Sequence, residues 1–371
     1  MATVRRPGAT GSSHPAATGN SSDTRRAGDK IAGGEGRKAG ALSVTYMAIA
    51  ALTCRRPEMF AALLESLLRL RIPDDIRIDF IFVENDDALN IEPACQAFAE
   101  RTARPVHALH EPVRGIARAR NRALHKALEL GCDFLAFIDD DEVADEGWIV
   151  ELLAAQGEFD ADLVCGLVRD RIAEPGPQGL FGRWLSAERL RDSQLRERRR
   201  LGRKNIRRRG EHGLITVRPR GSTGNWLCRL EFLRRHDLRF DESVGLGRGE
   251  DHDLMVRLLK AGAVLVQAPR SLAYQMIPAS RLSVRYRYRL KRESVQLRYQ
   301  KRVRASLGVL LALPVIAFKL LHAGTYLLLA PVTLGRTFAS GIDAAGFVAG
   351  LARALLGRPA IGSHYGDIHG Y

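Results

Sequence analysis

Four acids stand side by side at Asp139, Asp140, Asp141 and Glu142, directly after the apolar run Phe134-Leu135-Ala136-Phe137-Ile138. Adjacent carboxylates repel one another. They are tolerated where water solvates them or where a divalent cation neutralises them. Mg2+ or Mn2+ favours such a set of hard oxygen ligands, commonly with substrate phosphates completing the shell. The run ahead of the acids reads as a strand buried on both faces of a parallel sheet. The acids then fall just past a strand's C-terminal end, where open α/β sheets bind their ligands. On these residues alone two readings stay open: a metal site, or a solvated loop whose acids complement the dipole of the next helix.

Other charged groups extend the pattern. Residues 76–83 read as a second strand and end in Glu84-Asn85-Asp86-Asp87. Glu250, Asp251 and Asp253 follow a glycine-bearing loop and open a helix, a placement that by itself is an ordinary dipole complement. Arg118, Arg120 and Arg122 crowd the first turns of a helix expected over residues 115–131. Positive charge there opposes the macrodipole, which is easier to understand if at least one arginine serves an anion; solvated surface arginines are the alternative. The chain as a whole carries 57 Lys and Arg against 42 Asp and Glu, a formal charge of +15 over 371 residues. That balance points to an anionic partner.

The elements that must position these groups alternate. A strand over residues 44–52 leads through Thr53-Cys54-Arg55-Arg56 to Pro57, which suits a helix's first turn. Phe60, Leu63, Leu64, Leu67 and Leu68 then mark one helical face, ended by Pro73. The second strand and a weaker element near residues 106–109 follow. After the arginine-rich helix and the acidic strand come a helix through Trp148, Ile149, Leu152 and Leu153 and a strand at residues 163–168. This rhythm implies βαβ units and a parallel sheet with right-handed crossovers. Five scattered cysteines without a CxxC spacing are expected to be free thiols with no zinc site.

Three stretches depart from that pattern. Residues 1–41 are rich in Gly, Ala, Ser, Thr and Arg, and are expected to be a disordered basic tail without the apolar region of a signal peptide. Residues 171–220 form a basic insertion holding Arg189, Arg191, Arg196 and a run of further arginines, with Phe181 and Trp184 at its start. Base stacking needs interleaved aromatics, so nucleic-acid binding is not expected; attraction to anionic lipid or to a diphosphate-bearing acceptor competes with a mobile solvated loop. Beyond residue 285 a cationic segment precedes an apolar one over residues 305–334, interrupted by Pro314, Lys319, His322 and Pro331. Its length allows a membrane span, but the lysine near its middle favours interfacial or re-entrant helices; a helical lid on the soluble domain is the alternative.

Taken in order, LTCRRPEMF, FVENDDA, GIARARNRAL, FLAFIDDDEVADEGWI, TGNWLCRLEFL, GRGEDHDLMVRLLKAGA and a closing IPASR resemble the family 2 glycosyltransferases of GT-A fold. The likeness is to the bacterial exopolysaccharide, succinoglycan-type branch and covers roughly residues 44–281. It implies a mixed, mainly parallel sheet with helices on both faces. The organisation expected is a tail over 1–41, a glycosyltransferase domain over 42–284 (nucleotide-sugar half 42–170, insertion 171–220, acceptor half 221–284) and a membrane-associating helical region over 285–371. The resemblance implies that Thr53, Arg56 and Arg120 border the nucleotide, and that Glu84, where the family usually has Asp, reads the base. Asp139 and Asp141 become a D-x-D pair with Asp140 between them, Asp141 being the better ligand for Mn2+ or Mg2+. Asp251, in the Glu250-Asp251 pair, becomes the catalytic base. Gln275 stands where related sequences often have an acid.

The expected activity is inverting transfer of a sugar from a nucleoside-diphosphate sugar, by family resemblance a UDP-sugar, to a glycan or polyprenyl-diphosphate-linked acceptor. The expected place is the cytoplasmic face of a bacterial inner membrane with an anionic surface. A non-catalytic basic membrane- or nucleic-acid-binding protein would explain the charge but not carboxylates at three element ends. A nucleotidyltransferase on a similar fold would release pyrophosphate instead of a nucleoside diphosphate.

Overall fold

The computed structural model describes residues 44–174, 176, 179–202, 206–216, 223–244, 249–300, 306–333 and 337–358. The expected tail over 1–41 lies outside the described residues, as do Gly247 of the loop, Arg203 and Lys204 of the insertion, and Lys301, Arg302 and Arg304.

The strands are β1 (Thr45–Thr53), β2 (Ile76–Glu84), β3 (Val106–His110), β4 (Phe134–Ile138), β5 (Glu142–Ala144), β6 (Leu163–Ile172), β7 (Ile206–Arg209), β8 (Leu214–Thr216), β9 (Asn225–Arg229) and β10 (Leu265–Ile277). The α-helices of the sheet domain are α1 (Pro57–Leu67), α2 (Glu92–Thr102), α3 (Ile116–Glu129), α4 (Trp148–Phe159), α5 (Gly179–Arg200), α6 (Leu230–Arg235) and α7 (Glu250–Lys260). Three more follow: α8 (Val284–Gln300), α9 (Ser306–Leu328) and α10 (Phe338–Leu355). Nine strands run in the order β3-β2-β1-β4-β9-β6-β10-β8-β7, with β5 paired to β10. β3, β2, β1 and β4 are parallel, as is the long β6–β10 pair, so most of the paired length is parallel.

Period-two alternation divides β1 between two cores. Met47, Ile49 and Ala51 face one side with Phe60, Phe80, Phe82, Phe98 and Trp148. Ala48 and Ala50 face the other with Phe137, Trp226, Phe240 and Leu254. Burial on both faces accounts for the unbroken apolar runs. The first core is tightened by aromatic edges, the Phe80 and Phe98 rings lying 4.9 Å apart and nearly perpendicular.

Several elements differ from the pattern read in the sequence. β9 enters antiparallel between β4 and β6, with Leu227 opposite both Ala136 and Val164. Its Asn225 explains the fixed register: the side-chain amide donates to the Leu167 and Ser271 carbonyls and its oxygen accepts from the Trp148 indole at 2.8 Å. α2 escapes a periodicity reading because it buries only Cys95 and Phe98. The insertion is built around a helix of 22 residues, α5, where a mobile solvated loop had been the alternative. All five cysteines are buried thiols outside any disulfide.

The last three helices pack as a layer. Gly350 of α10 lies so close to α8 that a Cβ there would strike the Arg292 carbonyl, and Gly346 sits similarly over Tyr288 and Lys291. Arg287 of α8 grips Asp343 of α10 with two bonds of 2.9 Å and reaches Asp192 of α5 at 3.3 Å. Thus α10, although long and apolar enough by length and composition to cross a membrane, is held against a cationic helix. The exposed apolar surface belongs instead to α9 and the turn after it. Ala312, Ile316, Lys319, Ala323, Tyr326 and Ala330 turn inward. Leu313, Phe318, Leu321, Leu328 and Val332 are 59–81% exposed. Lys319, the residue that argued against a clean membrane crossing, places its Nζ 5.6 Å from the Phe347 ring centroid of α10. The outward residues among 313–332 therefore carry no charge.

Candidate active site

The parallel register brings the strand ends together. Ala50 of β1 pairs with Phe137 of β4, so Thr53 and Asp140 leave the sheet side by side. The Thr53 hydroxyl donates to Asp140 Oδ2 at 2.9 Å, and Arg56 at the mouth of α1 donates to Oδ1 at 2.9 Å. Asp140 is thereby committed to holding β1 against β4, and its two neighbours are left facing a cleft of about 630 Å3. Thr53, Arg56, Arg120, Asp139, Asp140, Asp141, Glu250 and Asp251 all line this cleft.

Glu84 does not line it. Its carboxylate turns under the following loop, where it accepts from the backbone of Ile91 at 3.0 Å and of Asn90, so it fixes the approach to α2. Asn85, the next residue, does line the cleft. Its oxygen accepts from Gly115 N at 2.8 Å and its amide donates to the Glu111 and Val113 carbonyls, which anchors the start of α3.

From α3, Arg120 is the inward arginine of its trio and is 3% exposed. It pairs with Glu250 and stands 3.5 Å from Asp139, while Arg118 reaches Glu242 on the surface. Asn121 joins the same helix to the segment before α7, exchanging two hydrogen bonds with the backbone of Phe240. Gly249 precedes α7 at φ +109, a left-handed conformation suited to glycine. The helix that starts there presents both Glu250 and Asp251 at the cleft. Glu250 is buried against Arg120; Asp251 is half-buried, and its Oδ1 accepts from His252 N at 2.7 Å.

The acidic cluster has the composition of a hard-cation site. Ligand oxygens of Asp139, Asp141 and Glu142 lie within 4.8 Å of one another. Glu142 is 3% exposed, and its Oε2 is buried without a hydrogen-bond partner. A buried carboxylate oxygen in that state is costly unless something neutralises it, so these residues fit a divalent cation. Burial, reinforced by the surrounding carboxylates, pushes Glu142 well above the ordinary range. Burial likewise pushes Asp140 up to about 6, against the opposing pull of Arg56. Asp139 moves the same way through burial, with Arg120 opposing, although its side chain keeps 36% exposure toward the cleft and water there moderates the effect.

Glu142 was not singled out as a ligand from the sequence, and two observations add it. It stands directly opposite Gln275 in the antiparallel β5–β10 register, so it supplies a carboxylate beside the position where this chain has an amide. A Cβ on Gly224 would also strike its carboxylate, so that glycine makes its room. Asp141 accepts from Arg281 at 2.8 Å and from Gln275 at 3.4 Å. Arg281 belongs to the closing IPASR segment, which could have signalled it. Arg189 of α5 and Tyr286, Arg289 and Leu290 of α8 also line the cleft; nothing in the cationic runs distinguished these arginines from their neighbours.

Chemically, the cleft joins a cation-ready carboxylate group, arginines able to meet phosphate oxygens, and a partly exposed carboxylate on a separate helix. The profile described as Glycosyl transferase family 2 matches residues 49–223. The succinoglycan biosynthesis protein ExoM of Rhizobium meliloti (strain 1021) is 29% identical over 249 residues, covering 64% of this chain and 69% of ExoM. Among solved structures, S. aureus TarS 1-349 in complex with UDP aligns with a TM-score of 0.46 and 13% identity, covering 85% of this chain and 92% of that one. S. aureus TarS aligns with a TM-score of 0.44 and 13% identity over 67% of this chain, which spans 39% of that TarS chain.

Proposed function

We propose that this chain, a member of the family 2 glycosyltransferases, is an inverting enzyme. In this reading it moves a sugar from a UDP-sugar to a hydroxyl of a glycan carried on a polyprenyl diphosphate, in exopolysaccharide biosynthesis. One observation carries the reading: the acidic cluster at the end of β4 and Asp251 at the start of α7 open onto the same cleft. A diphosphate clamp and a base for the incoming hydroxyl are therefore available side by side.

Asp139, Asp141 and Glu142 would hold Mn2+ or Mg2+, which supplies charge neutralisation for the leaving diphosphate. Thr53 and Arg56 orient the acidic loop through Asp140, and Arg120, steadied by Glu250, faces Asp139. Glu250 is a positioning residue in this scheme, whereas Asp251 meets the acceptor. The acceptor oxygen bonds to the anomeric carbon from the face opposite the diphosphate, and its proton passes to Asp251. The carbon–oxygen bond to the diphosphate breaks, its electron pair leaving with the nucleoside diphosphate. Displacement of this kind inverts the anomeric centre.

The uncharged outer face of α9 supports attachment to the cytoplasmic face of a membrane, with the chain lying on the surface through α9. Arg285 of α8, which is exposed, favours anionic lipid. The test is a donor screen: purified protein, Mn2+ or Mg2+ and a panel of nucleotide sugars, following nucleoside diphosphate release with EDTA and Asp141→Ala controls. Slow metal-dependent turnover of one donor, lost in both controls, is expected. Absence of both turnover and calorimetric binding for every donor would overturn the proposal.

A further inference from the structure

Thr223 lines the cleft just ahead of β9. It is 1% exposed, and its hydroxyl is buried without a hydrogen-bond partner. Other orphan atoms along the cleft, Arg56 Nε, Arg120 Nε and Glu250 Oε2, belong to side chains already paired through a second atom. A threonine side chain has a single polar atom, so here the whole polar function is unmatched. Valine has the same shape and would fill this place without burying an unpaired hydroxyl. Packing alone therefore gives no reason for the hydroxyl, and its setting in the cleft supplies one.

The sheet fixes where that hydroxyl stands. β9 runs antiparallel to β4 with Asn225 opposite Ile138, so the residues ahead of Asn225 leave the sheet beside those that follow Ile138. A Cβ on Gly224 would strike the Glu142 carboxylate, so the chain touches the acidic cluster there. Along the strand order β2-β1-β4-β9, the cleft is bordered in turn by Asn85, Thr53, the aspartates and Thr223. Three strand spacings make about 14 Å. Leu52, Ile116 and Ala119 line the cleft on the β1 side, apolar surface suited to the face of a base. A donor with its base there and its diphosphate at the aspartates reaches Thr223 with its sugar.

The hydroxyl is also held still. Asn225, two residues on, is locked by the Trp148 indole at 2.8 Å and by the Leu167 and Ser271 carbonyls. Thr223 is β-branched, which restricts its side-chain rotation. A preset neutral hydroxyl matches a neutral sugar hydroxyl, since each can donate and accept. A site built to hydrogen-bond one substrate hydroxyl discriminates against a substrate that lacks it. We propose that Thr223 is a specificity-determining residue whose hydroxyl exchanges a hydrogen bond with a hydroxyl of the donor sugar. This rests on the UDP-sugar donor proposed above.

The experiment compares wild type, Thr223→Ser and Thr223→Val by calorimetry with Mn2+, using UDP, UDP-glucose, UDP-galactose, UDP-N-acetylglucosamine and UDP-glucuronate. Slow hydrolysis of each sugar nucleotide is followed on the same preparations. Loss of a neutral hydrogen bond weakens binding about three- to tenfold. For the sugar that wild type prefers, affinity and hydrolysis are expected to fall by that factor in Thr223→Val and to stay within about twofold in Thr223→Ser. UDP affinity is expected to stay within about twofold in all the proteins. The unfolding midpoint of Thr223→Val without ligand is expected to equal or exceed that of wild type, because an unpartnered hydroxyl has been removed. A fall of more than about 2 °C in that midpoint means that the hydroxyl is bonded within the protein, and overturns the proposal. It is overturned equally if Thr223→Val keeps the wild-type sugar preference, or if UDP affinity falls with the rest, since the hydroxyl then serves the diphosphate. If wild type binds every sugar nucleotide just as it binds UDP, the proposal fails while the nucleotide site stands. If wild type binds none of these ligands, the donor class fails and this reading with it.

Discussion

Replacing Arg120 with methionine removes a cation that touches both halves of the site, and its cost can be worked from burial. The Arg120 and Glu250 side chains are 3% and 5% exposed, so this is an interior ion pair of a different class from the surface pairs of α1 or α6. Exposed pairs contribute up to about 1 kcal/mol. Removing one partner of a buried pair strands the other and costs about 3–5 kcal/mol. Arg120→Met strands Glu250 and also withdraws the guanidinium 3.5 Å from Asp139, so the upper part of that range is expected. Glu250→Gln leaves Arg120 with Asp139 and should cost about 1–3 kcal/mol. In the double variant both charges are gone, and its loss should fall short of the sum by about 1–3 kcal/mol. Thermal unfolding at pH 7.5 with EDTA reads this directly, at about 2 °C per kcal/mol for a unit of this size. A pH arm adds a sign. Arg120 holds the Asp139 value down, so without it Asp139 stays protonated to higher pH. A protonated acid needs no counter-ion, and the Arg120→Met deficit should shrink between pH 7.5 and 5.5. Losses that add within about 0.5 kcal/mol, the range typical of independent sites, would refute the buried-pair reasoning.

Asp251→Asn is expected to lower transfer by about 10²–10⁴-fold while UDP binding with Mn2+ stays near wild type, the signature of a lost general base; kinetics and calorimetry on one preparation check it. Glu142→Gln and Gly224→Ala should both weaken Mn2+ binding, the first by deleting a ligand and the second by pushing it aside, which electron paramagnetic resonance of free Mn2+ reads without turnover. Asp140 at about 6 lies above its unfolded range of about 3.9, so the native state holds more protons across that interval. Its contribution to metal-free stability therefore declines as pH rises through that window, whereas the Mn2+-induced rise in Tm should grow from pH 5.5 to 7.5, because ligands bind deprotonated. Leu321→Asp with Leu328→Asp should abolish flotation with anionic vesicles without changing the unfolding midpoint, since both side chains are more than two-thirds exposed.

Sequence alone determined the parts governed by local pattern. The strand Phe134–Ile138 ends where its apolar run meets three aspartates, and α7 begins at the glycine before Glu250. Such boundaries are written in adjacent residues, because the change from buried to solvated chain is itself a change of composition. The family likeness then brought Thr53, Arg56, Arg120 and Asp251 into one expectation, and the parallel register of β1 on β4 is the physical reason that two of them meet Asp140. Tertiary structure decided what depends on distance in the chain. Glu142 joins the acidic cluster because β5 lies antiparallel on β10, and Glu84 leaves the cleft because its carboxylate is spent on the backbone ahead of α2. β9 runs antiparallel between β4 and β6, where the Asn225 amide donates to the Leu167 and Ser271 carbonyls, partners far away in the chain. In the basic runs, every arginine looks alike as a residue type. Only the packing of α5 and α8 over the cleft turns Arg189 and Arg289 toward it, and only the stripe from Ala312 to Ala330 turns Lys319 inward, since orientation on a helix is set by what the helix packs against.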